Sequence, residues 1–221
     1  MKNQVSLKDI ICNNILEDII SLEFKPNEIL TEGYLIEKYG CSKTPIREAL
    51  HILCNDNVLR NIPRCGYEVI SLTTDDIRNM LQFRYILEAG ILALNYKNFT
   101  DAQIDKLEEI DTKCTQADKN LLEHWKYNSE FHLTMISFCK NSYAYNELER
   151  TLSRLKRGYA QLRWNDIENR CLALDTQSHA SIIQALRDNS SEDLMLSLEK
   201  DLGDFEPIDL NFKDILNRSE N

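Results

Sequence analysis

Lys43, Arg47 and His51 are spaced four residues apart, so they form one stripe along a helix that begins near Lys43. A helix that enters the DNA major groove by its N-terminus places first-turn side chains against base edges and phosphates. Arg47 has the forked donors for a bidentate contact to guanine, whereas Lys43 and Thr44 suit phosphate or a single base. By itself, such a stripe fits a solvated helix face about as well.

The turn Arg64-Cys65-Gly66 carries a further cation, between two segments with a β pattern at residues 58–63 and 67–72. These segments predict a two-stranded hairpin with Arg64 at its tip. We expect Arg64 to enter the minor groove beside the helix, and Gly66 to allow a close backbone approach. A basic hairpin tip next to the cationic stripe favours DNA binding over a solvated surface.

Two helices are predicted ahead of these elements, at residues 6–22 and 32–39. Gly40 ends the second one, because a residue without a side chain can take the left-handed conformation of a C-terminal cap. Ser42 is the predicted N-cap of the third helix, with its hydroxyl accepting a backbone N–H. That helix runs to about residue 55 and buries an apolar face formed by Ile46, Ala49, Leu50 and Leu53. Three helices and a hairpin predict a winged helix-turn-helix domain over residues 1–72.

The remainder, residues 73–221, is predicted to be an all-helical domain, which makes the fold class mainly α. Three of the four prolines lie within the first 63 residues. From residue 74 to about residue 205, apolar side chains recur at helical spacing.

The net charge of −10 argues against tight non-specific binding to nucleic acid, but residues 38–66 carry five Lys and Arg against two acidic residues. No segment is apolar enough to span a membrane or to serve as a signal sequence. We therefore expect a cytoplasmic protein with no membrane partner. The seven scattered cysteines include no CxxC pair and are expected to be reduced thiols.

The sequence YGCSKTPIREAL at residues 39–50, followed by IPRCGYEVISL at residues 62–72, closely resembles the DNA-binding domain of the GntR family of bacterial regulators. Lys43 stands where the family usually has Arg, and Cys41 where it usually has Val. Lysine keeps the charge at this position but loses the forked donor geometry that reads a base.

Three later segments resemble the FadR-type branch of that family: FRYILEAGILAL at 83–94, NSEFHLTMISFCKN at 128–141 and SHASIIQAL at 178–186. The resemblance implies an FCD effector-binding domain of six or seven helices. It also implies a transcriptional regulator, most simply a repressor, that responds to a small molecule. Two operator half-sites require two recognition helices, so we expect a homodimer bound to double-stranded DNA.

Many members of this branch hold a divalent metal with one Asp and three His. The matching positions here are Asn128, His132, His179 and Asp201, so two of the four ligands are altered. Two imidazoles and a carboxylate suit zinc, nickel, manganese or iron, with Asn128 as a weak fourth ligand. The alternative is that the two histidines are hydrogen-bonded polar residues of a bundle that has lost its metal. Asp175, four residues before His179, is another candidate ligand or outer partner.

Arg84 aligns with an arginine of the same branch and is the predicted anchor for the effector, an organic acid. A surface ion pair with Glu88, four residues later, is an equally good interpretation.

Two other functions compete with a regulator. His132, His179 and Asp201 also describe the metal triad of iron oxygenases, which would make the chain a metal-dependent helical-bundle enzyme. No GxSxG, GxGxxG, Walker A or HExxH motif is present, so a protein that is not an enzyme is favoured. A helical scaffold whose winged helix binds protein is disfavoured by the cationic stripe.

Overall fold

The computed structural model of the chain describes residues 6–117, 121–165 and 177–203. Its elements in chain order are α1 (Leu7–Ile20), β1 (Ile29–Leu30), α2 (Glu32–Tyr39), α3 (Lys43–Asn55), β2 (Leu59–Ile62), β3 (Gly66–Val69), α4 (Thr74–Asn95), a 3-10 turn (Tyr96–Asn98), α5 (Asp101–Gln116), α6 (Leu121–Phe138), α7 (Ser142–Asn165), α8 (Gln177–Arg187) and α9 (Ser191–Gly203). No helix of the described residues is long and apolar enough to cross a membrane.

The chain divides into two compact units. Residues 1–73 and 156–167 form what we call the N-terminal unit, and residues 74–155 and 168–221 form the helical unit. The predicted fold class, a winged helix-turn-helix followed by a helical bundle, is confirmed: three helices and a small sheet precede Thr74, and helices α4 to α9 follow it.

Local capping explains where the helices of the N-terminal unit begin and end. The Ser6 hydroxyl accepts the Asp9 backbone N–H at the start of α1, and Asp9 in turn accepts the Ser6 N–H, which makes a capping box. The Thr31 hydroxyl caps α2 in the same position. Gly40 ends α2 with φ 61°, the left-handed conformation that the sequence predicted.

The N-terminus of α3 departs from the prediction in one detail. Ser42 is the N-cap residue, but its hydroxyl makes no capping hydrogen bond. Pro45 occupies the third position of the helix, and proline has no N–H to donate to the cap. The predicted buried face is confirmed, since its four residues are at most 1% exposed: Ile46, Ala49, Leu50 and Leu53.

The wing belongs to a three-stranded antiparallel sheet with the order β1-β3-β2. Only two strands were predicted, because Ile29–Leu30 is too short to show an alternating pattern. Gly66 lies against this extra strand with φ 141°, and a Cβ at that position would be 2.5 Å from the Leu30 carbonyl oxygen. The close approach that Gly66 permits is therefore one between strands of the sheet.

The last part of α7 belongs to the N-terminal unit and contacts the segment that follows the wing. The buried Gln161 side chain accepts the Leu72 backbone N–H at 2.8 Å and donates to the Ile70 carbonyl at 3.0 Å. Arg157 Nη2 donates to the Asn57 carbonyl at 2.9 Å. These bonds satisfy backbone N–H and C=O groups that lie outside the paired strands, at the ends of the sheet.

In the helical unit, α8 packs against α9, α5 against α6, and α4 against α9. The core consists of apolar side chains from each of these helices, among them Leu81, Leu107, Phe131, Leu186 and Leu198, none more than 1% exposed. Polar groups are buried in the same interior, and they form the site described below.

We expect Gly66→Ala to destabilise the protein by about 2 kcal/mol or more, since it combines a strained left-handed φ with a backbone clash. The matched control is Gly33→Ala on α2, where a Cβ meets nothing within 4 Å. That change is expected to be neutral or to stabilise by up to ~1 kcal/mol through helix propensity. Urea unfolding of both variants measures the difference, and equal midpoints would contradict the assignment.

Candidate functional site

The predicted DNA-reading residues of α3 share one exposed face. Lys43, Thr44, Arg47 and His51 are all exposed, and the side chains of Lys43 and Arg47 are 59% and 55% accessible. They lie opposite the buried apolar face, as their helical spacing requires. The start of α3 therefore presents two cations to solvent.

The carboxylate of Glu32, the first residue of α2, contacts both of these cations. Glu32 Oε1 accepts a hydrogen bond from Arg47 Nε at 2.7 Å, and Oε2 lies 3.3 Å from Lys43 Nζ. The Arg47 hydrogen bond, with Lys43 beside it, lowers the pKa of Glu32 from its usual range. Glu32 is not among the residues predicted from the sequence to lie at this face. In a helix-turn-helix the start of α2 faces the start of α3, and that proximity is the signal that could have identified it.

The wing presents a single unpaired cation at its tip. Arg60 faces Glu68 across β2 and β3 and donates to its carboxylate from Nε at 2.9 Å, so that charge is neutralised. Arg64 is exposed, adopts φ 67° in the turn, and forms no ion pair with a described residue. The structure thus places Arg64 where the sequence predicted it, while Gly66 serves the sheet.

The second group of predicted residues converges inside the helical unit, where three helices each contribute a buried side chain. His132 comes from α6, His179 from α8 and Asp201 from α9. One ligand atom of each lies within 4.8 Å of the other two. His132 Nε2 is 3.0 Å from Asp201 Oδ2, and His179 Nε2 is 3.5 Å from Asp201 Oδ1.

Asn128 completes this predicted set from α6, one turn before His132. Its Nδ2 lies 3.4 Å from His179 Nε2, while its buried Oδ1 accepts no hydrogen bond from a described residue. His132 Nε2 is buried as well, and its neighbour is Asp201 Oδ2. An unpaired acceptor such as Asn128 Oδ1 is costly in a buried site unless a further group satisfies it.

Two more carboxylates hold the far sides of the imidazole rings. Glu88 Oε2 lies 2.6 Å from His132 Nδ1, and Asp111 Oδ1 lies 3.0 Å from His179 Nδ1. An ionised carboxylate only accepts, so each Nδ1 donates its hydrogen to the carboxylate, and each Nε2 lies on the side of the ring that faces Asp201. Phe131 stacks on the His179 ring at a centroid distance of 3.9 Å and fixes its plane. Glu88 was foreseen only as a partner of Arg84, and Asp111 was missed because it is 68 residues from His179.

The ionisation of these groups is strongly coupled. Burial opposes ionisation of Asp201, but His132 and His179 outweigh it and lower the pKa of Asp201 to about 2. Burial and Arg84 likewise oppose protonation of His132, but Glu88 and Asp201 raise its pKa above the usual value. Burial also opposes ionisation of Glu88, yet His132 and Arg84 lower its pKa.

Arg84 lies next to this site rather than on the surface. It is 0% exposed and donates from Nε to Glu88 Oε1 at 2.6 Å, so the predicted ion pair exists but is fully buried. Its Nη1 and Nη2 atoms are buried and donate to no residue that the structure describes. A guanidinium whose outer fork is unsatisfied in an apolar interior is a ready receptor for a carboxylate.

Together these residues fit a divalent transition metal. Two imidazole nitrogens and a carboxylate converge, an amide oxygen is orphaned beside them, and outer carboxylates orient both rings as in known metal sites. The alternative of two hydrogen-bonded polar histidines accounts for the contacts of both rings with carboxylates but not for Asn128 Oδ1, which has no partner among the described residues. The other candidate ligand, Asp175, lies outside the described residues.

Comparison with known proteins gives two family matches that together cover most of the chain. Residues 7–69 match the bacterial regulatory proteins of the gntR family, and residues 79–202 match the FCD domain. The second match alone spans more than half of the 221 residues. The boundary between the two matches falls where the N-terminal unit passes into α4.

The named relatives are transcriptional regulators and not enzymes, which disfavours the metalloenzyme alternative. The chain is 29% identical over 140 residues to YdhC, an HTH-type transcriptional regulator of Bacillus subtilis, and this match covers 62% of each protein, just under two thirds of the relative's length. It is 26% identical over 195 residues to the gluconate operon transcriptional repressor of Bacillus licheniformis, covering 84% of this chain and 78% of that one.

Among solved structures, Escherichia coli McbR has the same fold. The two superpose with a TM-score of 0.73 over 99% of this chain and 100% of McbR, at 23% sequence identity. The winged helix-turn-helix, the helical unit and both family matches agree, and the chain belongs to the GntR family of bacterial regulatory proteins, in the branch that carries an FCD domain.

Proposed function

We propose that this chain is a homodimeric transcriptional repressor that binds a specific operator and releases it in response to an organic acid held in the helical unit. The observation that carries the proposal is the exposed cationic face at the start of α3, with Arg64 at the tip of the adjoining wing. It is a basic face on a protein whose net charge is −10. Localised cations on an acidic body favour a specific DNA site over non-specific binding.

On DNA, α3 lies in the major groove with its N-terminus toward the bases. Arg47 contacts guanine through its outer fork, Lys43 and Thr44 contact phosphate or one base, and His51 lies further along the groove. Arg64 reaches the neighbouring minor groove from the wing, where a narrow groove concentrates negative potential.

In the helical unit, His132, His179 and Asp201 hold a divalent transition metal, with Asn128 as an amide donor. Such a metal is a Lewis acid to which a carboxylate can coordinate. The unpaired Nη1 and Nη2 of Arg84 provide a second contact for the same carboxylate.

Charge balance supports an anionic effector. When both imidazoles are neutral, as metal ligands must be, the buried Arg84, Glu88 and Asp201 sum to one negative charge, while Asp111 is partly exposed and screened. A divalent cation changes that sum to one positive charge, and a carboxylate returns it to zero. An uncompensated charge in a buried site is costly, so a metal-loaded interior favours an anion. The relative from B. licheniformis is named for an operon of gluconate, which is an organic acid.

Dimerisation is assigned to an apolar face of α4. Phe83, Ile86 and Leu94 are 44%, 61% and 79% exposed, and Gly90 between them has open space around it. Their spacing places them on one side of the helix, opposite the buried Leu81, Arg84 and Glu88. Large apolar residues exposed on one face mark an interaction surface, and a second copy aligned by a two-fold axis matches two half-sites.

The DNA-binding part of the proposal is tested with Arg47→Ala. We expect affinity for an operator selected by the wild-type protein from random duplexes to fall by about 1–3 kcal/mol, with specificity relaxed at one position. The control is Arg150→Ala, the same substitution at an exposed arginine of α7, 67% accessible. It should bind within about twofold of wild type. Salt-titrated fluorescence anisotropy measures both, and an Arg47→Ala protein that binds like wild type contradicts the assignment.

The metal site is tested by changing Asp111, a carboxylate that contacts a ligand imidazole and is not itself a ligand, so that the ligands stay intact. Asp111→Asn is expected to weaken metal affinity by about 10–100-fold, because the His179 ring loses its orienting acceptor. Glu109→Gln on the same helix, which is exposed and paired with Lys106, should leave metal affinity unchanged. Elemental analysis of protein purified without an affinity tag, followed by chelator competition, gives the values. Wild-type protein that neither retains nor takes up a stoichiometric metal would end this hypothesis.

The dimer is tested with Ile86→Glu, which places a charge in the α4 face. We expect a monomer in sedimentation velocity at micromolar concentration, and at least about a tenfold loss of affinity for a two-half-site duplex. Leu196→Glu, at an apolar residue of α9 that is 51% exposed, should remain dimeric. A dimeric Ile86→Glu protein would show that another surface joins the subunits.

A further inference from the structure

Glu32 is an acidic residue on the face of the N-terminal unit that, under the proposed function, approaches the negatively charged phosphates of DNA. A carboxylate is unusual at such a place. It is the first residue of α2, and its side chain is 22% accessible, whereas those of Lys43 and Arg47 are 59% and 55% accessible. The acid therefore lies beneath the two cations and contacts both. A negative charge here lowers the attraction of the face for any DNA, so its presence needs a physical reason.

Stability does not provide that reason. Ion pairs between solvent-exposed side chains contribute little to folding, because both partners are well hydrated when separated. At the helix N-terminus, Glu32 also interacts favourably with the helix dipole, but an acid at this position can do so without contacting α3. What is specific to the geometry is which atom of Arg47 is bound.

Glu32 Oε1 accepts from Arg47 Nε at 2.7 Å. A guanidinium has five N–H donors in a rigid plane, and the Nε bond uses only the one nearest the backbone. No hydrogen bond from Arg47 Nη1 or Nη2 to a described residue accompanies it, so this far edge of the guanidinium stays available for an acceptor. This is the pair of donors that matches guanine O6 and N7 in an end-on bidentate contact.

We propose that Glu32 is a positioning residue that holds Arg47 end-on toward the major groove and thereby sets base specificity at the expense of overall DNA affinity. This inference rests on the proposed DNA-binding function. Without Glu32, the long arginine side chain samples many rotamers, including those that reach phosphate, and phosphate contacts carry no sequence information.

The experiment is a double-mutant cycle with duplexes that the wild-type protein selects from a random library. The variants are Glu32→Gln, Arg47→Ala and the double mutant, each measured on the selected duplex, on its single-base-pair variants and on a scrambled duplex. Glu37→Gln is the matched control, since Glu37 is exposed on the same helix and its loss changes the net charge equally. Unfolding midpoints verify that each variant is folded.

We expect Glu32→Gln to tighten binding to the scrambled duplex by about twofold to fivefold, because one repulsive charge is removed. The ratio of selected to scrambled affinity should fall by about tenfold, and base preference should flatten at the same positions as in Arg47→Ala. In the Arg47→Ala background, Glu32→Gln should leave that ratio unchanged. Glu37→Gln should leave both ratio and base preference unchanged.

An unchanged ratio in Glu32→Gln, or an equal fall of the ratio with and without Arg47, overturns the inference while DNA binding stands. A wild-type protein that enriches no duplex at all overturns the proposed function, and the role of Glu32 falls with it.

Discussion

The helical unit is organised around buried charges that must satisfy one another. Arg84, Glu88 and His132 are 0% exposed, and Glu88 divides its carboxylate between the other two, at 2.6 Å from each. Removing any one of them would leave an uncompensated polar group in an apolar interior, which costs more than the pair contributes. Since Arg84 and Glu88 come from α4, His132 from α6 and Asp201 from α9, this requirement determines how three helices meet.

The winged helix-turn-helix, residues 6–73, handles charge in the opposite way. Its cations lie on the surface, where water screens their ion pairs and little folding energy depends on them. Its core cluster is apolar and is formed by the buried sides of α1, α2, α3 and the sheet. Because packing supports α3, its outer face is free to vary. The winged helix-turn-helix thus combines a stable apolar core with a variable surface. In the helical unit, by contrast, the buried polar groups of the candidate site also hold the helices together.

Sequence reasoning succeeded where a feature depends on neighbours within one or two helical turns. The apolar face of α3 and the Gly40 cap follow from spacing of three to seven residues and from the conformation of a single residue. The convergence of His132, His179 and Asp201 was foreseen only through the family resemblance, since nothing local brings α6, α8 and α9 together.

The features that were missed all depend on tertiary contacts. Strand β1 has two residues, and only its pairing with Glu68 and Tyr67 makes it a strand. Glu32 and Asp111 resemble any other exposed acid in the sequence, and their roles arise because Arg47 and His179 fold against them. The absent Ser42 cap is different, since the proline three residues later is visible in the sequence and removes one of the two backbone donors that an N-cap hydroxyl can accept.

The altered ligand set shows how the position of one carboxylate changes a site. In the family pattern, the acid occupies the position of Asn128 and a histidine that of Asp201. Here Asp201 contacts both imidazoles, at 3.0 and 3.5 Å, whereas Asn128 reaches only His179. The carboxylate therefore contacts both rings. Under the proposed function, the exchange keeps one anionic ligand for the metal and places it next to both imidazoles. An amide is a weaker donor than a carboxylate, so under the same proposal the place beside Asn128 is the one that the effector's carboxylate can take most easily.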